Sequence, residues 1–95
     1  MAAFWSEVLG RPVVDDWGGF VRLAQDETGT HLAFARVPET KNAKNRVHLD
    51  LSVDERVQAV LELLELGAAE IESRTADGHT WTVMADPEGN EFCVA

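Results

Sequence analysis

Residues 86–92 of this 95-residue chain read Asp-Pro-Glu-Gly-Asn-Glu-Phe, and residues 26–32 read Asp-Glu-Thr-Gly-Thr-His-Leu. Both segments place a Gly three residues after an Asp, which is typical of a tight turn. In both, a side chain able to bind a metal follows, and then an apolar residue. The repeat delivers Glu91 in one half and His31 in the other, so it predicts two related halves that build one site.

The elements around the two turns come in the same order. A helix is predicted over 2–9, because its apolar residues have helical spacing and Gly10 and Pro12 follow it. Alternation and turn residues predict strands. The predicted strands are 13–17, 20–24, 31–37, 46–51, 69–75, 79–85 and 91–95.

A second helix is predicted between the strands 46–51 and 69–75. Ser52 and Glu55 have the spacing of a capping box, and Gly67 is typical of a helix C-terminus. An i, i+3, i+4, i+7 pattern predicts the face that packs on the sheet. Its residues are Val57, Val60, Leu61 and Leu64.

These patterns predict an α+β fold of two modules in one domain. Residues 46–95 give a complete βαβββ module, and residues 39–45 give a polar, solvated linker. Residues 1–38 give an αβββ module that lacks the N-terminal strand of the repeat. We expect the fold to do without that strand, or another chain or loop to replace it.

Composition and charge exclude several classes of partner. The chain is 45% hydrophobic and 26% charged, as in ordinary globular proteins, and its net charge is −9. Such an acidic surface repels phosphate backbones and anionic lipid, so we expect neither nucleic acid nor membrane as a partner. Cys93 is the only cysteine, so no intrachain disulfide can form, and a cytoplasmic location fits best.

Strand alternation places the candidate metal ligands on the less bulky faces of their strands. His31 and Glu91 are each followed, two and four residues on, by small residues that suit a hollow. His48 lies on the non-aliphatic face of its strand. Two imidazoles and a carboxylate suit a divalent ion such as Zn, Ni, Mn or Fe. The alternative, polar groups on a solvated sheet face, stays open.

Other side chains have more than one interpretation. Trp81 is expected in the core or in a cavity wall, and Trp17 either lines the pocket or packs at a loop end. Cys93 shares the face of Glu91 and is expected in the cavity. It has no cationic neighbour in sequence to make it a nucleophile. Asp50 is either a partner of the histidine two residues before it or exposed, and we expect it to be exposed. His79 is expected at the surface.

Three stretches resemble the vicinal oxygen chelate superfamily. They are 3–10 (Ala-Phe-Trp-Ser-Glu-Val-Leu-Gly), 46–51 (Arg-Val-His-Leu-Asp-Leu) and 84–92. The superfamily includes glyoxalase I, bleomycin-resistance proteins, fosfomycin-resistance enzymes and extradiol dioxygenases, and the greatest resemblance is to bacterial glyoxalase-like domains. It implies paired βαβββ modules around a cavity, with metal ligands on the first and last strands of each. His48, Glu91 and His31 match three of those positions, although a carboxylate is more usual at that of His31.

The resemblance implies two alternative functions. One is a metal-dependent lyase, isomerase or dioxygenase acting on a small oxygenated substrate, with Glu91 as the best candidate for the base. The other is a metal-free protein that sequesters a drug or metabolite, as bleomycin-resistance proteins do. The acidic surface would attract a cationic ligand, and Trp17 and Trp81 would offer stacking walls. Superfamily members are often dimeric, so a homodimer is expected.

Overall fold

Gly10 stops the first helix where the sequence predicts. In the computed structural model, which describes residues 1–95, helix α1 (Ala2–Leu9) ends at this glycine, whose φ of 65° is left-handed. The helix buries Phe4 and Trp5, whose rings meet edge to face with centroids 5.2 Å apart. A helix this short is marginal alone, so these buried aromatic side chains stabilise it.

The chain divides into two units, Met1–Thr40 and Lys41–Ala95. In the first unit, α1 packs on the second strand of an antiparallel sheet of order β1-β2-β3. Leu23 in that strand is fully buried. The strands are β1 (Val13–Asp16), β2 (Phe20–Leu23) and β3 (Ala33–Ala35). The unit is therefore an αβββ arrangement, as predicted.

The third strand of this unit is shorter than the predicted range 31–37. Because β3 begins at Ala33, His31 lies two residues before it. The carbonyl oxygen of Leu32 still accepts a hydrogen bond from the N–H of Leu23, at 2.9 Å. Pairing with β2 thus continues past the regular strand. The predicted bounds of the strand are wrong at both ends.

The second unit is the predicted βαβββ module. Its sheet has the order β4-β7-β6-β5, in which β4 and β7 run parallel and the other neighbours antiparallel. Neither helix of the chain is long and apolar enough to cross a membrane. The elements are β4 (Leu49–Leu51), α2 (Arg56–Glu65), β5 (Ala69–Ala76), β6 (His79–Ala85) and β7 (Glu91–Val94). The predicted fold class is confirmed.

Helix α2 differs from the prediction at its start. It begins at Arg56, after Glu55 as the N-cap residue, and no side chain caps it. The capping box predicted for Ser52 and Glu55 is therefore wrong. The chain is instead tied to the end of β7 here, because the N–H of Val53 donates to the carbonyl oxygen of Ala95 at 2.9 Å.

The buried face of α2 is also rotated from the predicted one. Val60 and Leu63 are buried, whereas Val57 and Leu61 are 64% and 52% exposed. Arg56 explains the difference, because it lies at i, i+4, i+7 spacing with the two buried residues. Its Nη1 donates at 2.7 Å to the hydroxyl of Thr82, which is buried in β6. A search for periodic apolar residues does not identify an arginine as part of the packed face.

The two turns that repeat in the sequence have the same structure. In each, one side-chain oxygen of the Asp accepts hydrogen bonds from the backbone N–H groups two and four residues later. The distances are 2.8 and 2.9 Å for Asp26 and 3.0 and 2.9 Å for Asp86. Gly29 and Gly89 have φ values of 87° and 89°, which only glycine adopts without strain. The repeated motif is thus a repeated turn, one in each unit.

Candidate functional site

One face of the second unit's sheet borders a pocket of about 440 Å³. Phe92 and Val94 of β7 are buried under the other face, so the residues that alternate with them face the pocket. A volume of this size suits a small molecule. The lining residues are Lys44, His48, Asp50, Arg74, Trp81, Val83, Glu91, Cys93 and Ala95.

Strand register places the polar lining residues side by side. Asp50 of β4 and Val83 of β6 are both direct neighbours of Cys93 in β7. His48 and Glu91 lie two residues before Asp50 and Cys93 and line the same pocket. The predicted strand 46–51 is wrong at its start, since β4 begins at Leu49. His48 therefore directly precedes β4, where its side chain has more freedom than inside the strand.

His48 and Asp50 contact each other in the lining of the pocket. The Nε2 atom of His48 lies 3.2 Å from Oδ1 of Asp50, and the side chains are 46% and 76% exposed. Asp50 is thus exposed, as expected, and it is also a partner of His48. The Sγ atom of Cys93 joins this pair, because the ligand atoms of the three residues all lie within 4.8 Å of one another.

The surroundings of Cys93 favour its neutral thiol. Burial raises the pKa of the thiol, and the neighbouring carboxylate of Asp50 raises it further. Both effects oppose the thiolate, which is the nucleophilic form of cysteine. The arrangement supports a side chain that lines the cavity rather than an attacking group.

Lys41 and Asn45, in the segment before His48, contact the carboxylate of Glu91. Its Oε1 atom lies 3.3 Å from Nζ of Lys41, and its Oε2 atom accepts a hydrogen bond of 3.4 Å from the N–H of Asn45. A hydrogen bond from its own backbone N–H, and then these two partners, lower the pKa of Glu91. Glu91 is therefore ionised at neutral pH.

Two of the predicted site residues belong to the first unit. Nδ1 of His31 lies 2.7 Å from the carbonyl oxygen of Leu23. A carbonyl oxygen only accepts, so Nδ1 carries a proton and Nε2 is the nitrogen able to bind a metal. Trp17 is 64% exposed and packs at the loop end against Phe20, with ring centroids 5.6 Å apart. The guanidinium of Arg22 lies 5.9 Å from its ring centroid.

The structure therefore brings four predicted site residues to one pocket of the second unit: His48, Glu91, Trp81 and Cys93. His79 begins β6 and is exposed, as expected.

The sequence did not assign the two lysines at this pocket. Lys41 and Lys44 lie in the segment predicted as a solvated linker, yet the first pairs with Glu91 and the second lines the pocket. Arg74 lines the pocket from β5 and donates to Glu72. A polar stretch rich in Lys and Asn has no periodicity that would place it over a sheet, so no local signal identifies these contacts.

Comparisons with known proteins agree with the fold. Residues 1–95 match the sequence profile of a family described as the glyoxalase-like domain. The chain belongs to this family, within the vicinal oxygen chelate superfamily. A search of curated proteins gave no match.

Solved structures with the same fold come from several bacteria. A glyoxalase/bleomycin resistance protein/dioxygenase family enzyme from Burkholderia phytofirmans PsJN is 23% identical, with a TM-score of 0.76 over 99% of this chain and 85% of that one. A glyoxalase-related enzyme from Fulvimarina pelagi is 18% identical, with a TM-score of 0.73 over 99% and 76%. A possible glyoxalase from Bacillus cereus is 18% identical, with a TM-score of 0.70 over 97% and 82%. Similarity at these identities shows the fold alone.

Proposed function

We propose that this protein is a metal-dependent lyase or isomerase of the glyoxalase type, acting on a small oxygenated molecule in the pocket of its second unit. The observation that carries the proposal is that His48 and Glu91 line the same pocket beside an apolar wall. Trp81, Val83 and Ala95 supply that wall. An apolar pocket with a few polar groups at one side is the usual form of a small-molecule site.

The donor groups fit a divalent transition ion. His48 offers an imidazole, and the lowered pKa of Glu91 keeps its carboxylate ionised. His31 lies in the first unit and keeps Nε2 available, and its role as a ligand stays a prediction from the sequence. A bound divalent ion would polarise two neighbouring substrate oxygens and stabilise the negative charge that develops on them.

The pocket cations favour an acidic or oxyanionic substrate. Lys44 and Arg74 line the pocket and would attract a carboxylate or another anionic group. Glu91 is the candidate base. Lys41 and Asn45 hold its carboxylate in the deprotonated form, which is the form that accepts a proton. These residues would bind the substrate and position the base on one side of it.

Metal analysis of protein purified without chelator tests the proposal. We expect near-stoichiometric Zn, Ni, Mn or Fe in the wild type and little in His48→Ala. His79→Ala is a matched control, because His79 is an exposed histidine of the same sheet that does not line the pocket. It should retain the metal. Absence of metal from all three proteins, also after incubation with each ion, would contradict the proposal.

One observation supports a second function, the metal-free binding of a cationic molecule. Glu91 already binds a cation, the ammonium group of Lys41, at 3.3 Å. A cationic drug could replace this ammonium group and stack on Trp81. Such a ligand at 100 times its Kd would stabilise the protein by about 2.7 kcal/mol. A thermal-shift screen should then give shifts that Glu91→Gln reduces, and a screen of cationic compounds without any shift would exclude this function.

A further inference from the structure

We propose that the second unit binds a zinc-like divalent cation through His48, Asp50 and Cys93, and that Glu91 is left out of the ligand set. This inference rests on the proposed function, because it concerns the metal of the same pocket. It differs in the ligands. The carboxylate of Asp50 and the sulfur of Cys93 take the place of the carboxylate of Glu91, which Lys41 already contacts.

The backbone fixes two of these ligands relative to each other. Asp50 and Cys93 are direct partners in the parallel ladder of β4 and β7. His48 lies two residues before Asp50, and its Nε2 atom is 3.2 Å from Oδ1 of Asp50. Ligands on paired strands are held more rigidly than ligands on loops, so this part of the site is preorganised.

The distances suit a single ion. The three ligand atoms lie within 4.8 Å of one another. Bonds of about 2.0–2.3 Å to a tetrahedral ion place its ligand atoms roughly 3–4 Å apart. Small rotations of exposed side chains would bring the ligand atoms to these shorter distances, and both His48 and Asp50 are substantially exposed.

The donor set selects the class of ion. A nitrogen, an oxygen and a sulfur together suit zinc and similar transition ions rather than Mg²⁺ or Ca²⁺, which take oxygen ligands. The thiol of Cys93 would release its proton to solvent as the metal binds, so that the thiolate is the ligand. Three protein ligands leave a tetrahedral ion one open position, as in catalytic zinc sites. All three residues line the pocket, so that position would be accessible to a small molecule.

Glu91 is engaged elsewhere. One of its oxygens contacts Nζ of Lys41 at 3.3 Å, and the other accepts from the N–H of Asn45 at 3.4 Å. Binding a metal would require Glu91 to give up contacts with Lys41 and Asn45, whereas the contact between His48 and Asp50 lies within the proposed ligand set. This ligand set leaves Glu91 in place as the candidate base.

Titration of the reduced full-length protein with Co²⁺ alone tests the inference. A bond between Co²⁺ and a thiolate gives an intense near-ultraviolet charge-transfer absorption that nitrogen and oxygen ligands do not give. We expect this absorption in the wild type, in Glu91→Gln and in the control His79→Ala. Cys93→Ser and Cys93→Ala should lack it. Asp50→Ala should weaken Co²⁺ binding by at least roughly 10–100-fold. Loss of a residue that only supports a metal ligand already has an effect of that size. Circular dichroism would verify that each variant is folded.

The possible outcomes separate the two proposals. Co²⁺ binding without the charge-transfer absorption, lost in Glu91→Gln, would overturn this inference and support the proposed function with Glu91 as a ligand. Retention of the absorption in Cys93→Ser would also overturn the inference. Absence of any Co²⁺ binding by the wild type would overturn both metal proposals and favour metal-free binding.

Discussion

Two aspartates set the conformation of the repeated turns, and their surroundings differ. Asp86 is buried, and both of its side-chain oxygens accept from the amide of Asn90 in addition to the backbone bonds. Asp26 is more exposed and accepts from the hydroxyl of Thr28 as well as from two backbone N–H groups. One sequence motif therefore gives the same turn in two different surroundings.

We predict that the stabilising effect of Asp26 is lost in acid. The hydroxyl of Thr28, and then the N–H of Thr30, lower the pKa of Asp26 from 3.8 to about 2. A lowered pKa in the folded state means a contribution that is complete above about pH 4 and is lost as pH falls toward about 2. The difference in Tm between wild type and Asp26→Ala should stay constant from pH 7 to pH 5 and shrink below about pH 4.

Glu27→Ala is the matched control for that measurement. Glu27 is an exposed acidic neighbour in the same turn, so its loss should change stability by less than about 0.5 kcal/mol. A Tm difference for Asp26→Ala that persists unchanged to about pH 2 would show that its hydrogen bonds do not depend on the charge.

At the scale of elements, helix α2 holds the pocket sheet in place from the side away from the pocket. It packs on β5, β6 and β7 and buries Val60 and Leu63. Arg56 adds a hydrogen bond to the buried hydroxyl of Thr82, which also contacts Ser73 at 2.9 Å. The pocket face thus depends on a core that contains a polar network as well as apolar side chains.

We predict that two leucines of α2 differ widely in their effect on stability. Leu63→Ala should lower the free energy of unfolding by about 2–5 kcal/mol, because this side chain is only 6% exposed and its loss leaves a cavity. Leu61→Ala should change it by less than about 0.5 kcal/mol, since that leucine is 52% exposed. Urea denaturation measures both. Equal losses would mean that Leu61 is covered in solution.

How well the sequence predicts an element depends on how local its signals are. Gly10 and the Asp-x-x-Gly turns are local, and the helix end and the turns are where they were expected. The face of α2 was missed because a non-local partner, Thr82, brings Arg56 into the packed side. Alternation placed Glu91 and Cys93 correctly opposite the buried residues of β7.

The two lysines at the pocket are not predicted, for a similar reason. Lys41 and Lys44 belong to a segment without periodicity, and only the folded chain brings it to Glu91. Asp50 reaches Cys93 through strand order, since β4 and β7 are the first and last strands of the module. A parallel pairing between distant segments leaves no spacing signal in the sequence.

At the scale of the whole molecule, the balance of charge in the pocket differs from that of the chain. The chain carries 17 acidic and 8 basic residues, whereas the pocket lining has two cations, Lys44 and Arg74, beside two carboxylates, Asp50 and Glu91. An acidic exterior disfavours non-specific binding to polyanions. A cavity with as many cations as carboxylates repels a small anion less than the acidic exterior does.

We predict that two copies of the chain associate. Every residue of the edge strand β5 is exposed, and an exposed strand edge offers unpaired backbone groups to another chain. Light scattering should give twice the 10.5 kDa mass of one chain. Ile71→Lys, at a residue of β5 that is 51% exposed, should shift the equilibrium toward monomers. A monomer at all concentrations would contradict the prediction.

Anomalous diffraction from crystals grown with Zn²⁺ would show whether the pocket of the second unit holds a metal. We predict a single strong peak at the zinc edge within bonding distance of Nε2 of His48, about 2.0–2.1 Å. The neighbouring density would also show whether Cys93 and Asp50 or Glu91 complete the site. A pocket without an anomalous peak, or a zinc ion bound only at distant surface carboxylates, would contradict a metal site in this pocket.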